Sequence, residues 1–129
     1  MSTAVLLSIK PKFADAIFSG EKKYEFRKAI FKDKSIKVIY VYASAPISKV
    51  VGTLYVDEIL AQQPTILWEE TSQDAGISED YFYEYFANRK LGYALKVERA
   101  KLFDEPKLLK EMFGISHPPQ SFCYVPLKN

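Results

Sequence analysis

The sequence has 129 residues, of which 48% are hydrophobic, and a formal net charge of +2. A chain of this length fits one domain, and its hydrophobic share excludes an intrinsically disordered protein. One cysteine and one histidine exclude an internal disulfide and any zinc site that needs several such residues. No apolar run approaches the roughly 20 residues that span a bilayer. We therefore expect a soluble, cytoplasmic protein with no metal, no other cofactor and no membrane partner.

Charged residues are unevenly distributed along the chain. Residues 1–50 contain ten lysines and arginines against four acidic residues, whereas residues 51–129 contain eight against twelve. A basic first half favours a surface that binds phosphate groups. Two ordinary solvated faces would give the same pattern, so charge alone leaves both interpretations open.

The first half of the chain predicts three strands and one helix. A short apolar run ends before Pro11, which suits the first turn of a helix that Gly20 then ends. Tyr24 and Phe26 alternate with charged residues, which is typical of a strand with one apolar face. The predicted elements are strands at 4–10, 22–28 and 36–43, and a helix between Pro11 and Gly20.

The second half predicts three more strands and several short helices. Gly52 lies inside a long predicted strand, where a glycine often marks a bulge or a barrel corner. Ser78 suits the N-cap of a helix in an acidic stretch. The predicted elements are strands at 49–60, 93–102 and 121–126, and helices within 64–90 and at 105–113. About six strands with short helices, and no regular β–α–β alternation, predict an α+β fold with a curved, mostly antiparallel sheet or small barrel.

The most informative segment joins the first helix to the second strand. It contains Gly20, Lys22, Glu25 and Arg27 in the order Gly-x-Lys-x-x-Glu-x-Arg. This set resembles the signature of the ASCH family, and the strand and helix before it fit that family as well.

Three shorter segments extend the resemblance over most of the chain. YASAP at 42–46 and VVG at 50–52 agree with the ASCH family, and PPQSF at 118–122 resembles a bacterial branch labelled as transcriptional regulators. The resemblance implies a PUA-like β-pseudobarrel with flanking short helices. It also implies a single ASCH domain over 1–129, in which the acidic helical segment at 64–90 is an insertion.

The four signature residues suit a ligand that carries a phosphate or a base. Gly20 lets the backbone turn sharply and brings Lys22 to the mouth of a cleft. Glu25 and Arg27 lie two positions apart on a strand and share a face. Arginine offers a planar fork, lysine a mobile charge, and glutamate accepts from a base amine, orients the cations or acts as a base. A solvated face of salt-bridging charges explains the same residues without a ligand.

Four other residues are candidates for the wall of the cleft. Lys10 ends the first strand, Ser44 lies in the turn after the third, and Gln120 and Ser121 enter the last one. Each has a simpler explanation as a surface or turn residue. Gly20 and Gly52 are assigned structural roles.

The resemblance implies a module that binds RNA, a nucleotide or a modified nucleoside and regulates transcription or translation. The alternative is a small hydrolase. One branch of the superfamily hydrolyses the acetyl amide of acetylcytidine with a lysine and a threonine; Lys22 matches that lysine, but Glu25 stands in place of the threonine. A ribonuclease with Lys22 and Glu25 as acid and base is a second possible enzyme. A protein-interaction domain that uses the acidic segment is the third class.

Overall fold

The computed structural model describes residues 2–128, and this part of the chain contains six strands and four α-helices. The strands are β1 (Thr3–Ile9), β2 (Tyr24–Arg27), β3 (Val38–Ala43), β4 (Lys49–Gln62), β5 (Gly92–Lys107) and β6 (Phe122–Pro126). The helices are α1 (Pro11–Phe18), α2 (Pro64–Thr71), α3 (Glu79–Tyr85) and α4 (Leu109–Phe113). The first and last residues of the predicted domain at 1–129 lie outside the described residues.

All six strands form one sheet in the order β2-β5-β4-β3-β1-β6. β1 and β3 are parallel, and every other neighbouring pair is antiparallel. The predicted α+β class, with a mostly antiparallel six-stranded sheet, is therefore confirmed. β2 and β6 are the two edges of the sheet. Side-chain hydrogen bonds from β2 nevertheless reach β1 and the residue before β6, so the sheet curls toward closure.

The connection from β1 through α1 to β2 positions the signature residues. α1 begins at Pro11 and buries Ala14 and Ile17 against the sheet. Gly20 follows with a φ of +85°, which a glycine adopts without strain. β2 is shorter than predicted, since it begins at Tyr24. Its alternation holds, because Tyr24 and Phe26 are buried together in an apolar cluster beneath α2 and α3.

The opposite face of β2 is not the solvated surface that was one of its two interpretations. Glu25 is only 5% exposed, and Arg27 is half-buried. The reason is the curl of the sheet, which brings β1 and β6 against this face. β2 is therefore an edge strand that is covered on both sides.

Gly52 lies at the predicted irregularity in β4. The pairing of β4 with β5 shifts register between Val50 and Gly52. A Cβ atom at this position would collide with the carbonyl oxygen of Lys101 on β5. Only glycine therefore allows the two backbones to approach so closely.

The helix predicted at 105–113 begins later, at Leu109, so this prediction is wrong in its first turn. Residues 105–107 continue β5 instead, and Lys107 pairs with Val50 of β4. Pro106 explains the difference, because proline disfavours the helical conformation of the residue before it. The end of the helix is as predicted, since Gly114 adopts a left-handed conformation with φ of +70°.

Candidate functional site

A cleft of about 420 Å³ opens where β1, α1, β2 and α3 meet. Its volume lies within the range of roughly 300–1,000 Å³ that is common for small-molecule sites. Five of the seven predicted binding residues line it, namely Lys10, Lys22, Glu25, Arg27 and Gln120. Its other lining residues are Ser8, Ile9, Phe13, Phe26, Lys28, Ile77, Tyr81 and Tyr85. The structure thus brings most of the candidates into one concave surface.

Lys22 lies inside the cleft rather than at its mouth. The residue is 2% exposed, and its Nζ donates a hydrogen bond of 3.0 Å to the carbonyl oxygen of Ala75. Nζ also lies 4.5 Å from the ring centroid of Phe26. Burial lowers the pKa of the Lys22 ammonium from its ordinary 10.5 to about 8, and the nearby Glu25 carboxylate opposes part of this shift. This amine therefore changes its charge at mildly alkaline pH.

Glu25 and Arg27 form a buried ion pair on the inner face of β2. The Arg27 Nη1 lies 3.1 Å from the Glu25 Oε2, and the two side chains are 12% and 7% exposed. Nη1 also donates to the carbonyl oxygen of Ser8 at 3.2 Å. Nη2 donates to the carbonyl and hydroxyl oxygens of Ser121 at 3.3 and 2.7 Å. The two terminal nitrogens of Arg27 thus make four hydrogen bonds within the protein, which leaves the guanidinium little capacity for a ligand.

Gly76 forms the support behind Lys22. Its φ of +68° favours glycine, and a Cβ there would lie 2.5 Å from the Lys22 Cβ. The preceding residue, Ala75, is fully buried and supplies the carbonyl oxygen that accepts from Nζ. The loop between α2 and α3 therefore fixes the position of the lysine.

Aromatic side chains form one wall of the cleft. Tyr81 and Tyr85 lie one turn apart on α3, with ring centroids 6.5 Å apart and ring planes within 9° of parallel. Phe13 of α1 meets Tyr81 edge to face at 5.4 Å. The Tyr85 hydroxyl donates to the carbonyl oxygen of Phe26 at 3.3 Å, and burial raises the pKa of this phenol.

The rim of the cleft is basic. Lys10, Lys28 and Gln120 are exposed on it. The Lys28 Nζ lies 4.8 Å from the Tyr85 ring centroid, where the cation faces the aromatic ring. The rim therefore presents exposed positive charge beside the aromatic wall.

Two predicted binding residues lie outside the lining. Ser121 is behind the cleft, where its oxygens accept from Arg27. Ser44 is in the turn after β3, and its backbone N–H donates to the carbonyl oxygen of Ile9 at 3.0 Å. Ser44 thus connects two strand ends near the cleft through its backbone.

The aromatic wall was not predicted from the sequence. Four aromatic residues fall within one predicted helix of the 64–90 segment, namely Tyr81, Phe82, Tyr85 and Phe86, but they divide between two surroundings. Phe82 and Phe86 are buried beneath α3, whereas Tyr81 is 37% exposed and lines the cleft with Tyr85. The spacing of the two tyrosines, four residues apart, was the available signal.

Within residues 2–128, no group of three or more His, Cys, Asp or Glu side chains could hold a metal ion. None of the helices in the same range is long and apolar enough to cross a membrane. The interior of the cleft instead offers the Lys22 amine, the Glu25 carboxylate and aromatic rings, and its rim adds the Lys10 and Lys28 amines and the Gln120 amide.

Comparison with known proteins finds similarity to one domain family and to several individual proteins. A family model for the ASCH domain matches residues 7–102. The ASCH domain-containing ribonuclease of Zymomonas mobilis is 30% identical over 122 residues, which cover 93% of this chain and 82% of that protein. The large ribosomal subunit protein uL22 of Ureaplasma parvum is 27% identical over 94% of this chain, but the match covers 39% of its own length.

Solved structures agree with the sequence comparisons. The crystal structure of the Zymomonas mobilis ASCH protein has a TM-score of 0.85 to this chain at 30% identity, with 95% of this chain and 87% of that chain covered. The crystal structure of a point variant of the same protein also has a TM-score of 0.85 to this chain. The sequence identity is 29%, and the match covers 95% of this chain and 90% of that one. The six-stranded α+β fold is therefore that of the ASCH and PUA-like proteins.

Proposed function

Because the chain belongs to the ASCH domain family, we propose that its cleft binds single-stranded RNA or a nucleotide. The observation that carries the proposal is the position of Lys22, a buried amine beneath an aromatic wall and inside a basic rim. Aromatic faces stack on bases of any sequence, and exposed lysines attract phosphates. The Zymomonas mobilis relative is named a ribonuclease, which supports RNA as the ligand.

The four signature residues have different roles in this proposal. Lys22 contacts the ligand directly, because Nζ donates to one protein acceptor and an ammonium has three N–H groups. Glu25 supplies an acceptor in the same interior. Arg27 is a positioning residue, since its terminal nitrogens already bond to Glu25, Ser8 and Ser121. Gly20 makes the turn that leads into this arrangement.

A binding screen tests the proposal. Fluorescence anisotropy would measure the binding of a labelled single-stranded RNA. Unlabelled nucleotides, acetylcytidine and other modified nucleosides would then be tested as competitors of that RNA. We expect Lys22→Met to weaken binding at least tenfold, since a charged contact contributes about 1.5–3 kcal/mol. Lys23→Met is the matched control, because Lys23 is the next residue but its side chain is 59% exposed and faces Asp74. Equal affinities of the two variants would contradict the proposed site.

An enzyme that hydrolyses RNA is the second candidate, and two observations favour it. The Zymomonas mobilis relative carries the name ribonuclease. The lowered pKa of Lys22, about 8, gives a group able to exchange a proton near neutral pH. In this version Lys22 and Glu25 are the acid and base. An acetylcytidine hydrolase fits less well, because Glu25 stands where that branch has threonine.

Glu25→Gln separates the two candidates. The amide keeps an oxygen that accepts from Arg27 but cannot act as a base. If Glu25 only orients neighbours, we expect a modest loss of affinity, and there is no turnover to lose. If Glu25 is a base, RNA cleavage stops while affinity stays near that of the parent. Gel analysis of labelled RNA, run beside the anisotropy titration, measures both.

The finer features implied by the resemblance belong to the same proposal. They are a regulatory role in transcription or translation, a cytoplasmic location, and a single domain over 1–129 in which residues 64–90 are an insertion. A limited proteolysis experiment tests the last of these. One stable fragment that retains both α1 and α3 supports it, and separation of 64–90 from a folded remainder contradicts it.

A further inference from the structure

The interior of the cleft has few donors for a phosphate. Phosphate sites gather several N–H groups around one anion, as an arginine fork or a helix N-terminus does. Here the terminal nitrogens of Arg27 bond to protein oxygens, and Lys22 already donates one hydrogen bond to Ala75. The Glu25 carboxylate in the same interior repels an anion. A phosphate therefore fits this space poorly.

The same interior suits a flat aromatic ligand. Phe13, Phe26, Tyr81 and Tyr85 contribute rings to the lining, and the two tyrosine rings are nearly parallel. Bases stack on such surfaces with little regard to sequence, because every base has a π-face. The aromatic lining is continuous with the basic rim, where Lys28 lies against Tyr85.

Lys22 and Glu25 complement the pairing edge of a base. Lys22 is a donor without acceptor capacity, and an ionised glutamate is an acceptor without donors. Each of the four RNA bases places an N–H donor beside an acceptor on its Watson–Crick edge. That edge is occupied in a duplex and free in an unpaired base, so the pair selects unpaired bases.

We infer that the cleft takes up one unpaired nucleobase, which enters base first between the aromatic wall and the Lys22–Glu25 pair and leaves its phosphates at the rim. The inference rests on the proposed function and adds the orientation and class of the ligand. Tyr81 and Tyr85 are then the stacking residues, and Lys10 and Lys28 face the backbone of the strand.

Three RNA ligands of equal length test the inference with the unmodified protein. They are a labelled single strand of mixed sequence, the same strand in a duplex, and a strand whose internal positions are abasic. Fluorescence anisotropy should show binding of the intact single strand at least tenfold tighter than that of the other two. Equal binding of the intact and abasic strands overturns the base-first orientation while leaving nucleic-acid binding intact. Absence of binding to all three overturns the proposed function itself.

Variants of the wall supply a second, independent measurement. Tyr81→Ala and Tyr85→Phe change the stacking surface and the hydroxyl respectively, and circular dichroism melts establish that each variant folds. We expect Tyr81→Ala to reduce the preference for the intact over the abasic strand, and Tyr85→Phe to keep it. Tyr55→Ala is the control, because Tyr55 is on β4 outside the cleft and packs against Arg99. A preference unchanged in Tyr81→Ala, or lost equally in Tyr55→Ala, contradicts the stacking wall.

Glu25→Gln tests the selection against phosphate. This change removes the interior negative charge and keeps an acceptor for Arg27. We expect the abasic strand to bind Glu25→Gln several-fold more tightly than it binds the parent, which narrows the difference between intact and abasic ligands. An unchanged or wider difference would contradict the role assigned to Glu25.

Discussion

The guanidinium of Arg27 donates a 2.7 Å hydrogen bond to the hydroxyl of Ser121 and thereby connects the two edges of the sheet. Arg27 is on β2, which pairs with β5 alone, and Ser121 immediately precedes β6, which pairs with β1 alone. No backbone ladder joins these two edges among residues 2–128. The side chain of Arg27 therefore closes the curled sheet and, in the same place, forms the back of the cleft.

We expect Arg27→Ala to destabilise the protein strongly. A solvated ion pair, which was the alternative to a ligand cleft for this face of β2, would contribute about 0–1 kcal/mol. The observed pair is buried, and removal of one partner from such a pair costs about 3–5 kcal/mol. Urea denaturation measures the free energy of unfolding of each variant.

Arg99→Ala is the matched control for this measurement. Arg99 forms an ion pair with Glu98, but the two side chains are 67% and 47% exposed. We expect Arg99→Ala to lower the free energy of unfolding by at most about 1 kcal/mol. Similar losses in Arg27→Ala and Arg99→Ala would contradict the closing role of Arg27.

The periodicity of β2 predicted its strand and its apolar face but not the burial of its charged face. Tyr24 and Phe26 alternate with charged residues, and a period of two is a local property of the sequence. The burial of Glu25 depends on Arg27 reaching Ser8 and Ser121, which are 19 and 94 residues away from it along the chain. Such long-range contacts leave no periodic signal, so the sequence left a ligand cleft and a solvated salt-bridging face both open for this pair and did not predict that Arg27 bonds to β1 and to Ser121.

The aromatic wall was missed for a related reason. Residues 81 and 85, like residues 82 and 86, are one helical turn apart, and the two pairs differ by about 100° around the helix. The sequence shows that both pairs are aromatic. Only the packing of α3 on Phe26 shows which pair faces the core, since Phe82 contacts Phe26 at 5.3 Å between ring centroids.

Gly76→Ala should displace Lys22 as well as destabilise the loop. An alanine in a left-handed conformation costs about 1–2 kcal/mol. The new Cβ would also lie 2.5 Å from the Lys22 Cβ, and forced overpacking costs typically 1–3 kcal/mol more. We expect the variant to lose both free energy of unfolding and affinity for single-stranded RNA.

Gly114→Ala isolates the backbone contribution in this comparison. Gly114 has a nearly identical φ of +70°, but no atom lies within 4 Å of the added Cβ. The Gly114→Ala variant should lose only about 1–2 kcal/mol of unfolding free energy and keep its affinity for RNA. Equal effects of the two substitutions on stability and affinity would mean that Gly76 does not support Lys22.

The affinity for single-stranded RNA should fall as salt rises. Each phosphate that a lysine neutralises releases counterions, with a slope of about −0.7 in log affinity against log salt concentration for single strands. If Lys10 and Lys28 contact the backbone, then Lys10→Ala and Lys28→Ala should each make the slope shallower by about 0.7. Anisotropy titrations over a tenfold range of salt measure it.

Lys107→Ala controls for the general effect of charge removal. Lys107 is exposed at the end of β5 and does not line the cleft. Its loss should leave the slope nearly unchanged. A flat dependence on salt in the parent protein would indicate a neutral small ligand in place of RNA.

The lowered pKa of Lys22 predicts opposite effects of pH on stability and on binding. The pKa is about 8 in the folded protein and 10.5 ordinarily, so between these values the unfolded chain binds more protons than the folded one. The contribution of Lys22 to stability therefore rises with pH across this window, by at most about 1.4 kcal/mol per pH unit. Affinity for RNA should fall as pH rises through about 8, because the neutral amine loses its positive charge.

Lys22→Met makes this prediction specific, because methionine keeps a long apolar stem and does not titrate. The quantity to compare is the difference in unfolding free energy between the parent and Lys22→Met at pH 7, 8, 9 and 10, because pH effects common to the two proteins cancel in this difference. Above pH 8 we expect the unfolding free energy of the parent to rise steadily relative to that of Lys22→Met. The fall in RNA affinity through pH 8 should be absent in the variant. A constant difference from pH 7 to 10 would mean that the Lys22 ammonium is solvated in the folded protein, and the buried amine would then not be the centre of the site.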